Sequence, residues 1–309
     1  MSKAENISYR VKPDGFYGEL FVPMELPSAK FFKGDRGKNK ENGQKDRMDY
    51  IIDKNIISME KKAMVTIYEY GNPAADTVLI QLTGEHELSV LENEVEEIRK
   101  RTSIDFRFIA AKVDDWNHEL SPWKALAVFG NEDFGDGAAR TLEQILTLCT
   151  DKSKTYYIGG YSLAGLFSIW TAYQTDIFSG VAAASPSVWF PGFIDYMKEH
   201  EIKSKTVYLS LGDREEKTRN PVMSQVGNCI QKGYDWLTKC GINCTLEWNQ
   251  GNHFREPDIR TAKAFAWVMA ENPENVVAVG NPCHVLREIG EHDREFFYRN
   301  ERIDWENLK

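Results

Sequence analysis

Tyr156-Tyr-Ile-Gly-Gly-Tyr-Ser-Leu-Ala-Gly165 decides how this chain is read. A short β-rich run ends in two glycines, then a serine, then small residues that open a helix. That order is the sequence form of a tight strand-to-helix turn that holds a serine Oγ exposed, a nucleophile elbow. The strict pattern is G-x-S-x-G. Here Ala164 stands in the last position and Gly165 follows it. Small residues are needed because the turn is sharp and the helix packs close to the strand, and alanine adds only one methyl. The plain alternative is that Ser162 merely caps the helix. The residues further along the chain decide between the two.

On either side of this stretch, strands alternate with helical patterns. Strands are expected at Met64–Tyr70, Val78–Leu82, Phe106–Val113, Thr155–Ile158, Val181–Ala184, Thr206–Leu211 and Cys244–Trp248. Helices are expected at Ser89–Arg101, Ala138–Thr150, Leu163–Gln174, Val222–Thr238 and Ile259–Ala270. The alternation predicts an α/β fold with a mostly parallel central sheet and helices on both faces. The strands are near-continuous apolar runs, as buried parallel strands are. Ligands of such sheets bind at the carboxyl ends of the strands, and each candidate residue below follows a predicted strand.

The core is expected over 63–271. Residues 1–62 form an N-terminal extension, with short strands at Ile7–Val11 and Tyr17–Val22 and then a polar, lysine-rich loop. Residues 272–309 form a charged, aromatic tail with no assigned role. The chain has 309 residues, 42% hydrophobic and 28% charged, ordinary for a soluble protein, and a net charge of -9. That charge gives no general attraction to nucleic acid or anionic membrane. The five cysteines include no C-x-x-C pair, so neither a disulfide framework nor a zinc site is signalled. No apolar run approaches the roughly 18 residues of a membrane span. The expected location is the cytoplasm. The sequence specifies no oligomeric state.

A serine hydroxyl needs a general base within hydrogen-bond reach, and the base needs an acid to orient it. In the α/β-hydrolase plan the order along the chain is serine, acid, histidine. Of six histidines, His253 follows the last core strand through Gly251 and precedes the last core helix. The acid falls in Gly212-Asp-Arg-Glu-Glu216. Asp213 is nearest the strand end, while Glu215 and Glu216 have more loop to reach the base; the alternative is a solvated charge cluster. The backbone N–H donors for an oxyanion are expected from Leu163 and from Gly84 or Glu85, in the loop after Val78–Leu82. Aromatic walls for an acyl or aryl group are expected from Trp116, Trp123, Tyr161 and Trp189, each weighed against plain core packing. The long loop from Asp114 to Gly137 could close as a lid. The histidines do not fall at ligand spacing, so no metal is expected, and the chemistry needs no cofactor.

Four segments resemble the branch of the α/β-hydrolases that holds enterochelin esterases, feruloyl esterases, S-formylglutathione hydrolases and mycolyltransferases. They are Gly160-Tyr-Ser-Leu-Ala-Gly165, Ser185-Pro-Ser-Val-Trp189, Leu211-Gly-Asp-Arg-Glu-Glu216 and Gly251-Asn-His-Phe254. Asp115-Trp-Asn-His-Glu-Leu-Ser-Pro-Trp123 is similar to a loop of bacterial members. The resemblance spans roughly residues 64–270. It implies an α/β-hydrolase fold, Ser162 as nucleophile, His253 as base, and Glu215, then Glu216, ahead of Asp213 as acid. The implied activity is a serine esterase on a small-molecule ester. The alternatives are an acyltransferase using the same nucleophile, or a non-catalytic binding protein on this scaffold.

Overall fold

The computed structural model describes residues 65–270 in full, with the backbone of six short strands outside that range. The chain divides into two compact units, Met1–Met269 and Ala270–Lys309. In the first unit, β1 (Arg10–Lys12) pairs antiparallel with β2 (Gly15–Tyr17). In the second, Val276–Val279 pairs antiparallel with His284–Glu288, and Phe297–Tyr298 with Glu301–Arg302. The rest of the expected extension, its loop and the tail lies outside the described residues.

Seven strands form the central sheet: β3 (Thr66–Gly71), β4 (Thr77–Thr83), β5 (Phe106–Lys112), β6 (Thr155–Tyr161), β7 (Phe178–Ala184), β8 (Thr206–Gly212) and β9 (Asn243–Asn249). Their spatial order is β3-β5-β4-β6-β7-β8-β9. Only β3, at one edge, runs antiparallel to its neighbour. All seven expected strands are present.

Side chains alternate between the faces of a strand, and both faces here are apolar. Val78, Ile80 and Leu82 join one buried cluster, and Leu79 joins the other. The first face is covered by α3 (Ala138–Leu146), α4 (Leu163–Gln174), α5 (Phe193–Glu199) and α6 (Val226–Lys239). The second is covered by α1 (Leu91–Arg99) and α7 (Pro257–Met269). Each fully buried Leu or Phe here, such as Leu79 or Phe265, contributes about 1.5–3 kcal/mol over its exposed state.

Helix α4 is buried all round, from Leu163 to Tyr173. It therefore has no polar face, and its Ser168 and Thr171 hydroxyls donate back to the carbonyls of Ala164 and Ser168. Two short helices escaped the sequence pattern: α2 (Trp116–Glu119), inside the expected lid, and α5. That lid loop is anchored. Ala125 and Phe134 form an antiparallel bridge, and Asn220 Nδ2 donates to Val128 O at 2.7 Å. Among the described residues, no helix is long and apolar enough to cross a membrane.

Candidate active site

The loops leaving the carboxyl ends of β4, β6, β7, β8 and β9 meet at one edge of the sheet. The turn after β6 is sharp: Ser162 has φ 57° and ψ -117°. This is a strained conformation for a residue with a Cβ, of the kind that persists where the surroundings enforce it. The enforcement is visible. Ser162 N–H donates to Ala184 O, and its carbonyl accepts from the N–H of Leu166 and Ser187. A Cβ at Gly160 would lie 2.6 Å from the Ala164 methyl, and one at Gly165 would lie 3.1 Å from Gly160 O and from Pro186. The methyl of Ala164 is thus accommodated because residue 160 has none.

His253 Nε2 lies 3.0 Å from Ser162 Oγ, and its Nδ1 lies 2.7 Å from Glu215 Oε2. The serine is part-exposed, the His253 side chain is 26% exposed and the Glu215 side chain 5%. With Nδ1–H donating to the carboxylate, Nε2 is the free acceptor that can take the serine proton. Burial pushes the Glu215 carboxyl up. The hydrogen bond and charge of His253, with the Gly212 N–H and the Ser185 hydroxyl, outweigh it and hold Glu215 below the ordinary glutamate value.

The other two carboxylates go elsewhere. Asp213 Oδ1 accepts the Gly251 N–H at 2.8 Å, so it fastens the loop that carries His253 without touching the ring. Glu216 turns toward the start of α6, where its Oε2 occupies the space a Cβ on Gly227 would need. A short side chain at the strand end cannot span the gap that Glu215 crosses from three residues past Gly212.

The oxyanion expectation needs a correction at Gly84. Its N–H is already spent on Glu87 Oε2 at 3.0 Å, which also accepts the Thr83 hydroxyl. Glu87 is buried, which raises its carboxyl above the ordinary value against the pull of these bonds. It fixes the loop after β4 and removes Gly84 as a donor. Leu163 and Glu85 open α4 and a 3-10 helix, Glu85–Val90. First-turn N–H groups have no partner within the helix, and among the described residues neither of these two is taken by another acceptor. A glutamate three residues past Gly84, the half of a capping box that reaches back to the N-cap N–H, was the available sequence signal.

The aromatic expectations divide. Trp116 packs edge-on to the exposed His86 at 5.2 Å between centroids and closes over Gly84, beside the loop after β4. Trp189 packs on Phe129 and Phe134 of the anchored loop. Trp123 is a packing residue: it sits among Phe190, Phe193 and Tyr196, and its indole N–H donates to Pro191 O. Tyr161 is buried, and its hydroxyl donates to His253 O at 2.7 Å, so it braces the backbone of His253 and does not line an open pocket. Ser187, whose Oγ lies 3.5 Å from Ser162 Oγ, was not singled out in the sequence.

Among the described residues, no group of His, Cys, Asp or Glu is arranged to hold a metal ion. No family model and no curated protein matches the chain. Solved structures do. An IroE-like serine hydrolase from Shewanella oneidensis aligns over 66% of this chain and 75% of its own, at 17% identity and TM-score 0.53. The siderophore hydrolase EstA from Aspergillus nidulans aligns over 66% and 90%, at 18% identity and TM-score 0.50. The fold is that of an α/β-hydrolase. At these identities the likeness carries the architecture alone.

Proposed function

We propose that this chain is a serine esterase of the enterochelin-esterase type, acting on a small-molecule carboxylic ester with Ser162, His253 and Glu215 as its catalytic triad. One observation carries the reading: a part-exposed serine on a strained turn, hydrogen-bonded to an imidazole whose far nitrogen faces a buried carboxylate. The chain order Ser-Glu-His matches the fold's plan. The two neighbours named as a serine hydrolase and a siderophore hydrolase support the same class.

In the first half-reaction Ser162 Oγ attacks the ester carbonyl as its proton passes to His253 Nε2. The carbonyl oxygen takes the negative charge and is met by the N–H groups of Leu163, at the positive end of helix α4, and of Glu85, at the start of the 3-10 helix. The intermediate collapses, the C–O bond to the alcohol breaks, and Nε2 returns the proton to the leaving alkoxide. Water then attacks the acyl-enzyme, with His253 accepting its proton and giving it to Ser162 Oγ as the acid leaves. Glu215 stays ionised and holds Nδ1–H, so the imidazole presents the correct tautomer and its cation is stabilised.

The test is hydrolysis of p-nitrophenyl esters of increasing acyl length. The wild-type chain turns over at least one of them, and Ser162→Ala lowers kcat on the order of a millionfold. Equal hydrolysis by the two proteins would refute the assignment.

A further inference from the structure

Arg260 lies beneath this site and takes no part in the steps above. It is seven residues past His253, on α7, and 2% exposed. Its two terminal nitrogens face five oxygens. Nη1 donates to Glu215 Oε1 at 2.9 Å, Tyr161 Oη at 3.0 Å and Ser185 Oγ at 3.2 Å. Nη2 donates to Asn252 O at 3.0 Å and Gln250 O at 3.3 Å.

Those five partners come from four separate segments: the end of β6, the loop after β7, the acid loop after β8 and the base loop after β9. Tyr161 passes the connection on, since its hydroxyl accepts from Arg260 and donates to His253 O. Gly212 leaves the room, because a Cβ there would stand 3.0 Å from Nη2 and 2.9 Å from Glu215 Oε1. A buried ion pair seldom stabilises more than apolar packing of the same volume. Its place under the acid therefore points to geometry, and a planar fork can bond a carboxylate and two carbonyls in different directions at once.

We propose that Arg260 is a positioning residue that fixes the acid loop to the base loop and so sets the His253–Glu215 and His253–Ser162 distances. This rests on the triad reading above. Displacement of about 1 Å at such a site costs on the order of a hundredfold in rate, and the loss falls on turnover because Arg260 touches no substrate.

The full-length chain and its Arg260→Met and Arg260→Lys variants test this. The readouts are kcat and KM on a p-nitrophenyl ester, and the downfield proton resonance of His253 Nδ1–H. Thermal unfolding monitors the fold. Arg260→Met is expected to lose 100- to 1,000-fold in kcat with KM within about threefold, and to broaden or shift the resonance. Arg260→Lys keeps the charge but not the fork, and is expected to recover about tenfold of that loss. A folded Arg260→Met with wild-type kcat, or with its loss confined to KM, overturns the proposal. If the methionine variant does not fold, the lysine variant decides: kcat reduced at unchanged KM supports the role, and wild-type kcat ends it. An inert wild-type chain would remove the triad reading and this one with it, whereas an active wild type with an indifferent Arg260 removes this one alone.

Discussion

Replacing Glu215 with glutamine is the sharpest single perturbation, because the surroundings dictate which way the amide must turn. Glu215 Oε1 accepts from three donors: Gly212 N–H at 2.7 Å, Ser185 Oγ at 2.8 Å and Arg260 Nη1 at 2.9 Å. An NH2 group placed there would oppose all three. The glutamine carbonyl must therefore take that position, which points its NH2 at His253 Nδ1, where Oε2 now sits at 2.7 Å. Nδ1 then has to accept, its proton moves to Nε2, and Nε2 can no longer take the proton of Ser162. The wrong tautomer costs about 10⁴ in kcat where a serine triad has been altered this way, equivalent to about 5.5 kcal/mol of barrier. Asp213→Asn is the control. Its carbonyl can still accept the Gly251 N–H, so kcat should stay within about tenfold, the difference between a charge-assisted and a neutral hydrogen bond. Initial rates on a p-nitrophenyl ester, with thermal unfolding to confirm the fold, decide it. A folded Glu215→Gln that retains a tenth of wild-type kcat, or an Asp213→Asn that loses more than Glu215→Gln, would refute the reasoning.

Two further outcomes concern groups around the site. Glu94 is fully buried, and burial raises it well above the ordinary glutamate value, against the bond from Gln81 and with the charges of Glu87 and Asp258 adding to the rise. The folded chain thus binds more protons than the unfolded one above that ordinary value, and stability falls as pH rises through the window. Glu94 Oε1 and Gln81 Oε1 are both buried without a partner among the described residues, and an amide at position 94 could satisfy both. Glu94→Gln should gain about 1–2 kcal/mol at about pH 8 and little near pH 5 by denaturant unfolding; a loss at both pH values would contradict this. Gly212→Ala should lose activity more than tenfold and about 1–3 kcal/mol of stability, since its methyl would strike Gly251 O and crowd Glu215 and Arg260; wild-type kinetics in that variant would show that the acid loop has slack.

Local pattern carried most of the architecture. The inner strands are apolar runs bounded by turn residues, so β4 (Thr77–Thr83) and β8 (Thr206–Gly212) stand within two residues of their expected ends. The antiparallel direction of β3 was not legible, because residue pattern does not encode which way an edge strand runs. Helix α5 has seven residues and α2 four, too short for a helical period to register. Ser162 and His253 are read from neighbours in sequence. The acid was harder: three carboxylates lie within four residues, the residues alone left them open, the resemblance put Glu215 first, and the fold brings Glu215 to the ring. Tyr161 and Arg260 were harder still. Tyr161 reads as a pocket aromatic until its hydroxyl is found on a carbonyl 92 residues away. Arg260 reads as a charge on a helix surface, although it shares the buried stripe of α7 with Ala264 and Phe265. An arginine in phase with an apolar stripe was the available signal.

The most direct measurement is reaction of the intact chain with a fluorophosphonate, followed by mass spectrometry of its peptides. A single adduct on Ser162, abolished in His253→Ala and slowed on the order of 10⁴-fold in Glu215→Gln, is the expected result. A folded wild-type chain that stays unlabelled at Ser162, or carries the adduct on another serine, would contradict the account.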